Sequence, residues 1–343
     1  MKVCSKCFND VELKSYISTN FSEVSECSYC KGGVSVELID FNEISDFFST
    51  FIDIFQEDTD GKPLFELIKD DWDLFSESTS SEVLLKDILQ NIGASISNPH
   101  QKSNYIEEIL DSVSFWGKLK KELKWEKRFI TSYEEIKDLR WDYYFNNSLI
   151  SLPNDLKLYR ARLHQNSGQS VFGLDQMGCP EKGKSSAGRA NPYGIPYLYL
   201  SADKRTTLYE IRVAYLDEVS VGTFVVKDGE SLNLVDFTDI PSAFAYEVMG
   251  SIVEYTKSRL IKKMISIDLS KPLRRYDSEL EYIPTQFICE FIKVITGADG
   301  IKFNSSLHKD GVNIVLFEQE KVNCLVVEKE FINDVSIKSK IIP

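Results

Sequence analysis

The sequence predicts an α+β protein in three parts: a four-cysteine knuckle over residues 1–36, an all-helical bundle over 37–150, and an α+β half over 151–343 rich in antiparallel strand. Three observations carry this prediction. Paired C-x2-C motifs open the chain, apolar residues recur at three- and four-residue spacing until about residue 147, and short apolar runs bounded by Gly, Pro and Asn follow. At 343 residues the chain is longer than one core usually serves. With 43% hydrophobic and 27% charged residues it reads as a folded protein, not a disordered one. No apolar run reaches the roughly 18 residues of a membrane span, and the opening MKVCSKCFND lacks the apolar stretch of a signal peptide. No membrane association and a cytoplasmic location are therefore expected.

Cys4, Cys7, Cys27 and Cys30 form C-x2-C, nineteen residues, then C-x2-C. Two knuckles that each present two thiolates can close around one tetrahedral ion, so this spacing predicts a structural zinc site. Four thiolates leave no open coordination position, so the metal would staple a mini-domain and carry no catalysis. Cys179, Cys289 and Cys324 read as small core or loop residues.

Helical stripes come next. Asn42 can cap a run through Ile44, Phe47, Phe48, Phe51, Ile52 and Phe55, which Gly61 and Pro63 break. Leu64, Ile68, Trp72 and Phe75 make a second stripe, and Leu84, Leu85, Ile88, Leu89 and Ile92 a third that Gly93 closes. Residues 106–110 and 115–123 also read as helix. Ser132 with Glu135 forms a capping-box pattern ahead of Ile136, Leu139, Tyr143 and Tyr144. Helical nucleases of the HEPN type pair an Arg with a His on one helix; His100, the one histidine in this region, has no nearby upstream arginine. Partner recognition or oligomerisation is the task expected of the bundle. Residues 1–100 hold 7 basic and 19 acidic side chains, so −12 of the net −13 lies at the front, which disfavours broad binding to nucleic acid.

Asn146, Asn147, Pro153 and Asn154 mark a boundary near residue 150. Beyond it, 157–162 (KLYRAR) reads as strand, 163–187 as a Gly/Ser-rich loop, 195–201 (IPYLYLS) as strand and 206–214 as helix. Strands at 221–227 and 232–237, helices at about 241–264 and 284–296, and strands at 299–304, 312–318, 322–328 and 335–341 complete the half. Arg160 and Arg189 sit in strand or loop contexts beside glycines, where guanidinium forks suit a diphosphate. Tyr199 ends a strand, Glu210 lies on the following helix, and Ser305 and Ser306 follow a strand. Each also has an ordinary structural reading, as ion pair, core aromatic, helix surface or turn.

The segments LYRAR, AGRANPYGIPYLYLS, TTLYEIRVA, YIPTQFICEFIK and DGIKFNSSLHKDGVNIVLFE together resemble the RES domain, from about 155 to 330. The knuckle and bundle resemble the HEPN-like extension of longer RES proteins. The resemblance implies a fold related to ADP-ribosyltransferases and a bacterial toxin or defence effector that destroys NAD+, restrained by an antitoxin or immunity protein. Carried onto this chain, it assigns the family's catalytic positions to Arg160, Arg189, Tyr199, Glu210 and Ser305, with Asn191 joining Arg160, Arg189, Tyr199 and Ser305 in holding the dinucleotide. Leu307 departs from the arginine that frequently stands two positions after the family serine, leaving His308 or Lys309 to supply any phosphate contact there. The implied reaction breaks the nicotinamide–ribose bond, with water or phosphate as acceptor. Transfer of ADP-ribose to a macromolecule, or recognition without catalysis, are the alternatives; a homo-oligomer is compatible with all of them.

Overall fold

The computed structural model describes residues 1–31, 33–130, 133–238, 242–272 and 279–336. The chain divides into two compact units, residues 1–115 with 240–261, and residues 116–239 with 262–343. Two of the three divisions, at 115/116 and 261/262, fall within long helices.

In the first unit, β1 (Lys2–Cys4), α1 (Val11–Thr19), β2 (Glu23–Glu26) and β3 (Ser35–Asp40) frame the cysteines, with β3 between the other two strands in an antiparallel sheet. Asp10 caps α1 by accepting from Leu13 N and also accepts from Ala243 N, which ties in the 242–246 segment. Helices α2 (Ser45–Ile52), α3 (Leu64–Trp72) and α4 (Ser81–Ile92) bury the predicted stripes. Phe41, Phe48 and Phe51 are almost wholly buried. Trp72 stacks on Tyr255, and Phe47 packs edge-on against Phe244.

The expectation of an all-helical 37–150 needs correction. β4 (Phe55–Pro63) and β5 (Lys102–Tyr105) form an antiparallel pair inside it. The apolar stripe through Phe51 and Ile52 ends before Phe55, which turns into the pair opposite Tyr105, their rings 5.0 Å apart. Gly61 is required there: a Cβ would lie 2.2 Å from the Ser103 carbonyl oxygen. Asn42 sits in a single 3-10 turn ahead of α2 and caps nothing. Ser132 of the capping-box expectation lies outside the described residues.

α5 (Glu107–Trp125) leads into the second unit, which adds α6 (Tyr133–Asp138), α7 (Trp141–Asn146) and an eight-stranded sheet. Its strands are β6 (Leu149–Ser151), β7 (Leu158–Leu163), β8 (Leu198–Ser201), β9 (Glu218–Val226), β10 (Asn233–Asp236), β11 (Gly300–Asn304), β12 (Val312–Leu316) and β13 (Val322–Phe331). They lie in the order β13-β9-β7-β8-β12-β11-β10-β6, antiparallel except for β10 with β11. The expected helix at 241–264 begins later than its start suggests: a 3-10 stretch ends at Gly250, whose φ of 82° favours glycine, and α9 (Ile252–Ser270) follows. α10 (Ile283–Thr296) buries Ile288, Cys289 and Ile292. Most of the expected strand at 335–341 lies outside the described residues, and 335–336 carry none.

The sheet is nearly split in its middle. β7 pairs with β9 over six residues, but with β8 only at Tyr159 opposite Ser201. The short helix α8 (Lys204–Glu210) packs at this opening, where the Ala161 N–H that β8 leaves unpaired donates to Thr207 Oγ1 at 3.1 Å. Among the described residues no helix is long and apolar enough to cross a membrane.

β11 and β12 approach closely at Gly300, where a Cβ would sit 2.1 Å from the Val315 carbonyl oxygen. Gly300→Ala should therefore cost about 1–3 kcal/mol in urea unfolding; an unchanged midpoint would show that this approach is not tight.

Candidate active site and metal cluster

Glu210, the last residue of α8, is held by two donors. Its Oε1 accepts from Ser305 Oγ at 2.6 Å and from Asn313 Nδ2 at 2.7 Å, and Oε2 has no donor among the described residues. Asn313 is 8% exposed and accepts in turn from Ser201 Oγ at 3.0 Å. Ser305 Oγ accepts from the backbone N–H groups of Leu307 and His308, each at 3.1 Å. The carboxylate thus stands at the meeting of α8 with the ends of β8, β11 and β12. Ser306 turns elsewhere, donating to the Ser270 carbonyl.

A second part is the glycine-arginine loop. Gly188 N donates to Asn191 O at 2.9 Å, and Gln286 Nε2 donates to both the Gly188 and Asn191 carbonyls at 2.8 and 3.0 Å. Tyr199 closes the loop: its hydroxyl donates to Asn191 Oδ1 at 2.8 Å and accepts from Ala190 N at 3.0 Å. A Cβ at Gly188 would lie 2.6 Å from that hydroxyl. Asn191 is 2% exposed, and its Nδ2 is engaged by Ser185 and by the Ser186, Pro192 and Ile195 oxygens. The structure therefore places Asn191 and the Tyr199 hydroxyl in the scaffold of the loop, where both are occupied.

What the loop presents is Arg189. Its Nη1 donates at 2.6 Å to Leu269 O, in the last turn of α9, where a cation faces the negative end of the helix. Thr285 Oγ1 donates to the Arg189 carbonyl at 2.6 Å. Burial pulls the guanidinium below its ordinary pKa, and the nearby Glu210 and Tyr282 oppose that shift, so Arg189 and Glu210 lie within electrostatic reach.

Arg160, on β7 beside the opening, is poorly compensated. Its Nη1 is buried with no hydrogen-bond partner, and burial, followed by the repulsion of Arg162, brings its pKa down to about 10. Arg162 shares this face two residues on; its Nε is likewise unpartnered, while Nη2 reaches Gly178 O at 2.8 Å. Two adjacent guanidinium groups short of acceptors make an environment that favours an anion.

Sequence reasoning missed Asn313, Ser201 and Arg162. A polar Asn between Val312 and Ile314 in an apolar run was the available signal for the first. Arg162, inside the quoted LYRAR, was legible from strand alternation alone.

In the first unit, Cys4, Cys7, Cys27 and Cys30 converge, with all four sulfurs within 4.8 Å of one another. Sulfur separations of 3.7 Å (Cys4–Cys7), 3.4 Å (Cys4–Cys30), 3.5 Å (Cys7–Cys27) and 3.7 Å (Cys7–Cys30) approach the ~3.8 Å edge of a tetrahedron with bonds of about 2.3 Å. The donor set fits a soft tetrahedral ion.

Tyr199→Phe removes both loop hydrogen bonds and keeps the ring. It should lower stability by about 1–3 kcal/mol in denaturant titration; no change would mean that Gln286 and Asn191 hold the loop unaided.

A search of curated proteins found no match to this chain. Among solved structures, a chain of the crystal structure of the M. tuberculosis MbcT-MbcA toxin-antitoxin complex is similar at 13% identity and a TM-score of 0.33, over 55% of this chain and 91% of that one. Residues 157–334 match the RES domain, a span that takes in Arg160, Arg189, Glu210, Ser305 and Asn313 and more than half of the sequence. By that match the chain belongs to the RES domain family.

Proposed function

We propose that this protein breaks the nicotinamide–ribose bond of NAD+ and acts as a growth-arresting toxin or defence effector that an antitoxin or immunity protein restrains. The observation that carries the reading is the Glu210 carboxylate, fixed on one oxygen by Ser305 and Asn313 and within electrostatic reach of Arg189. The chemistry needs little more. Nicotinamide leaves as a neutral molecule from a cationic substrate, so no strong acid is required, while positive charge develops on the ribose as the bond stretches. A carboxylate already oriented stabilises that charge without reorganising. Arg160, with a buried nitrogen lacking an acceptor, and Arg189 hold the diphosphate. Ser305, its hydroxyl engaged by Glu210 and by the Leu307 and His308 N–H groups, orients Glu210, and Tyr199 shapes the pocket by holding the loop.

The cysteine cluster is a structural zinc site on this reading. It fastens the end of β1 and the turn after it to the loop between β2 and β3, and stands outside the chemistry. Metal analysis of the purified protein should find about one zinc per chain, and Cys7→Ser should lose it with a fall in melting temperature. A metal-free protein of unchanged stability would contradict the assignment.

The activity is tested by nicotinamide release from NAD+ with the full chain. The parent should release nicotinamide, and Arg189→Ala and Ser305→Ala should each lower the rate by about 10²–10³-fold. A parent that releases none, or variants that keep its rate, would overturn the proposal.

A further inference from the structure

The loop between β11 and β12 does more than supply Ser305. Ser305 N donates to Gly311 O at 2.8 Å and Gly311 N donates to His308 O at 3.1 Å, so the loop is closed on itself. It holds one imidazole in place. The His308 ring lies flat on the Tyr209 ring, with centroids 4.9 Å apart and planes 8° apart. Its Nδ1 lies 2.7 Å from Thr206 Oγ1. Thr206 Oγ1 in turn donates to the Asp203 carboxylate, which also caps α8 by accepting from Thr206 N at 2.8 Å. Gly311 makes this possible, because a Cβ there would come 2.5 Å from Thr206 Oγ1 and 3.0 Å from His308 Nδ1.

The donor count assigns the tautomer. Thr206 has one hydroxyl proton and Asp203 takes it, so Thr206 accepts from His308 Nδ1–H. His308 Nε2 is then a free acceptor, with no hydrogen-bond partner among the described residues. Burial pushes the Asp203 carboxyl up, but the hydrogen bonds from Thr206 and the nearby His308 outweigh it and hold the group below its ordinary pKa, so a negative charge stands behind the imidazole. An acid acting through a hydroxyl on a histidine follows the logic by which catalytic bases are oriented elsewhere. Thr206, Tyr209 and Glu210 share one short helix, and His308 N and Glu210 Oε1 share Ser305 Oγ as partner, at 3.1 and 2.6 Å.

We propose that His308 is the base that deprotonates the acceptor water, making this protein an NAD+ glycohydrolase. The inference rests on the proposed cleavage of NAD+ and names its acceptor. As the bond from ribose C1′ to the nicotinamide nitrogen breaks, its electron pair leaves with nicotinamide. A water oxygen bonds to C1′ and gives one proton to His308 Nε2, which passes it to solvent. The products are nicotinamide, ADP-ribose and a proton. Glu210, with Oε1 committed to Ser305 and Asn313, stabilises charge and leaves proton removal to His308. Azide has no proton to lose and hydrogen phosphate attacks through an unprotonated oxygen, so neither nucleophile needs this base.

The experiment follows nicotinamide release by the full chain with water alone and with added azide or phosphate. His308→Gln should lower the water reaction by about 10²-fold or more with KM for NAD+ unchanged, while release supported by azide persists. Thr206→Val should weaken the water reaction selectively and Thr206→Ser should retain it. The charged groups on the elements packed against the ring are Asp203, Lys204, Arg205 and Glu210 of the α8 segment and Lys309 and Asp310 of the loop itself. Unchanged hydrolysis in His308→Gln, or water and azide reactions falling together, overturns His308 as base while leaving NAD+ cleavage standing; a parent that releases nothing overturns both.

Discussion

Strands β7 and β8 meet at one residue pair, and the arrangement of the site depends on that gap. A sheet that continued past Tyr159 and Ser201 would pair Ala161 N–H with β8 and leave no place for α8. Because it parts, Thr207 takes that N–H, and the seven-residue helix, too short to be stable alone, is fixed by the sheet it interrupts. Glu210 sits at its end as a consequence. Asn313 of β12, held in turn by Ser201 of β8, then reaches the same carboxylate from the other side of the gap.

Around that gap, backbone geometry serves side-chain placement. Gly188 lets the Tyr199 hydroxyl close the loop that presents Arg189, and Gly311 lets His308 reach Thr206. Arg160 and Arg162 remain short of acceptors on the face beside the opening. Burying such groups without partners is costly, and a bound anion offsets that cost. The site therefore combines a well-oriented carboxylate with guanidinium groups short of acceptors, a pairing suited to a substrate with a diphosphate at one end and a developing cation at the other.

Some of this was legible in the sequence and some was not, for physical reasons. The cysteine cluster was legible because ligand spacing within each C-x2-C knuckle is local. The buried faces of α2, α3 and α4 followed from helical periodicity. The β4–β5 pair escaped because Phe55 continues the helical stripe of Phe51 and Ile52, and its strand partner Tyr105 lies fifty residues away. Resemblance to the family drew attention to Glu210, Ser305 and Arg189, but not to Asn313, whose importance comes from a contact made across 103 positions. The resemblance put Tyr199 and Asn191 at the dinucleotide; their hydrogen bonds are made with the loop instead. Residue type suggests what a group can bind, and tertiary contacts decide what it does bind.

The central claim is that the charge on Glu210, not its shape, performs the chemistry. Glu210→Gln keeps the side chain's size and an oxygen for Ser305 and Asn313 while removing the negative charge. The direct measurement is its single-turnover rate of NAD+ cleavage beside its melting temperature. The account predicts an unchanged melting temperature with cleavage lost; a variant that cleaves NAD+ at the parental rate would contradict it.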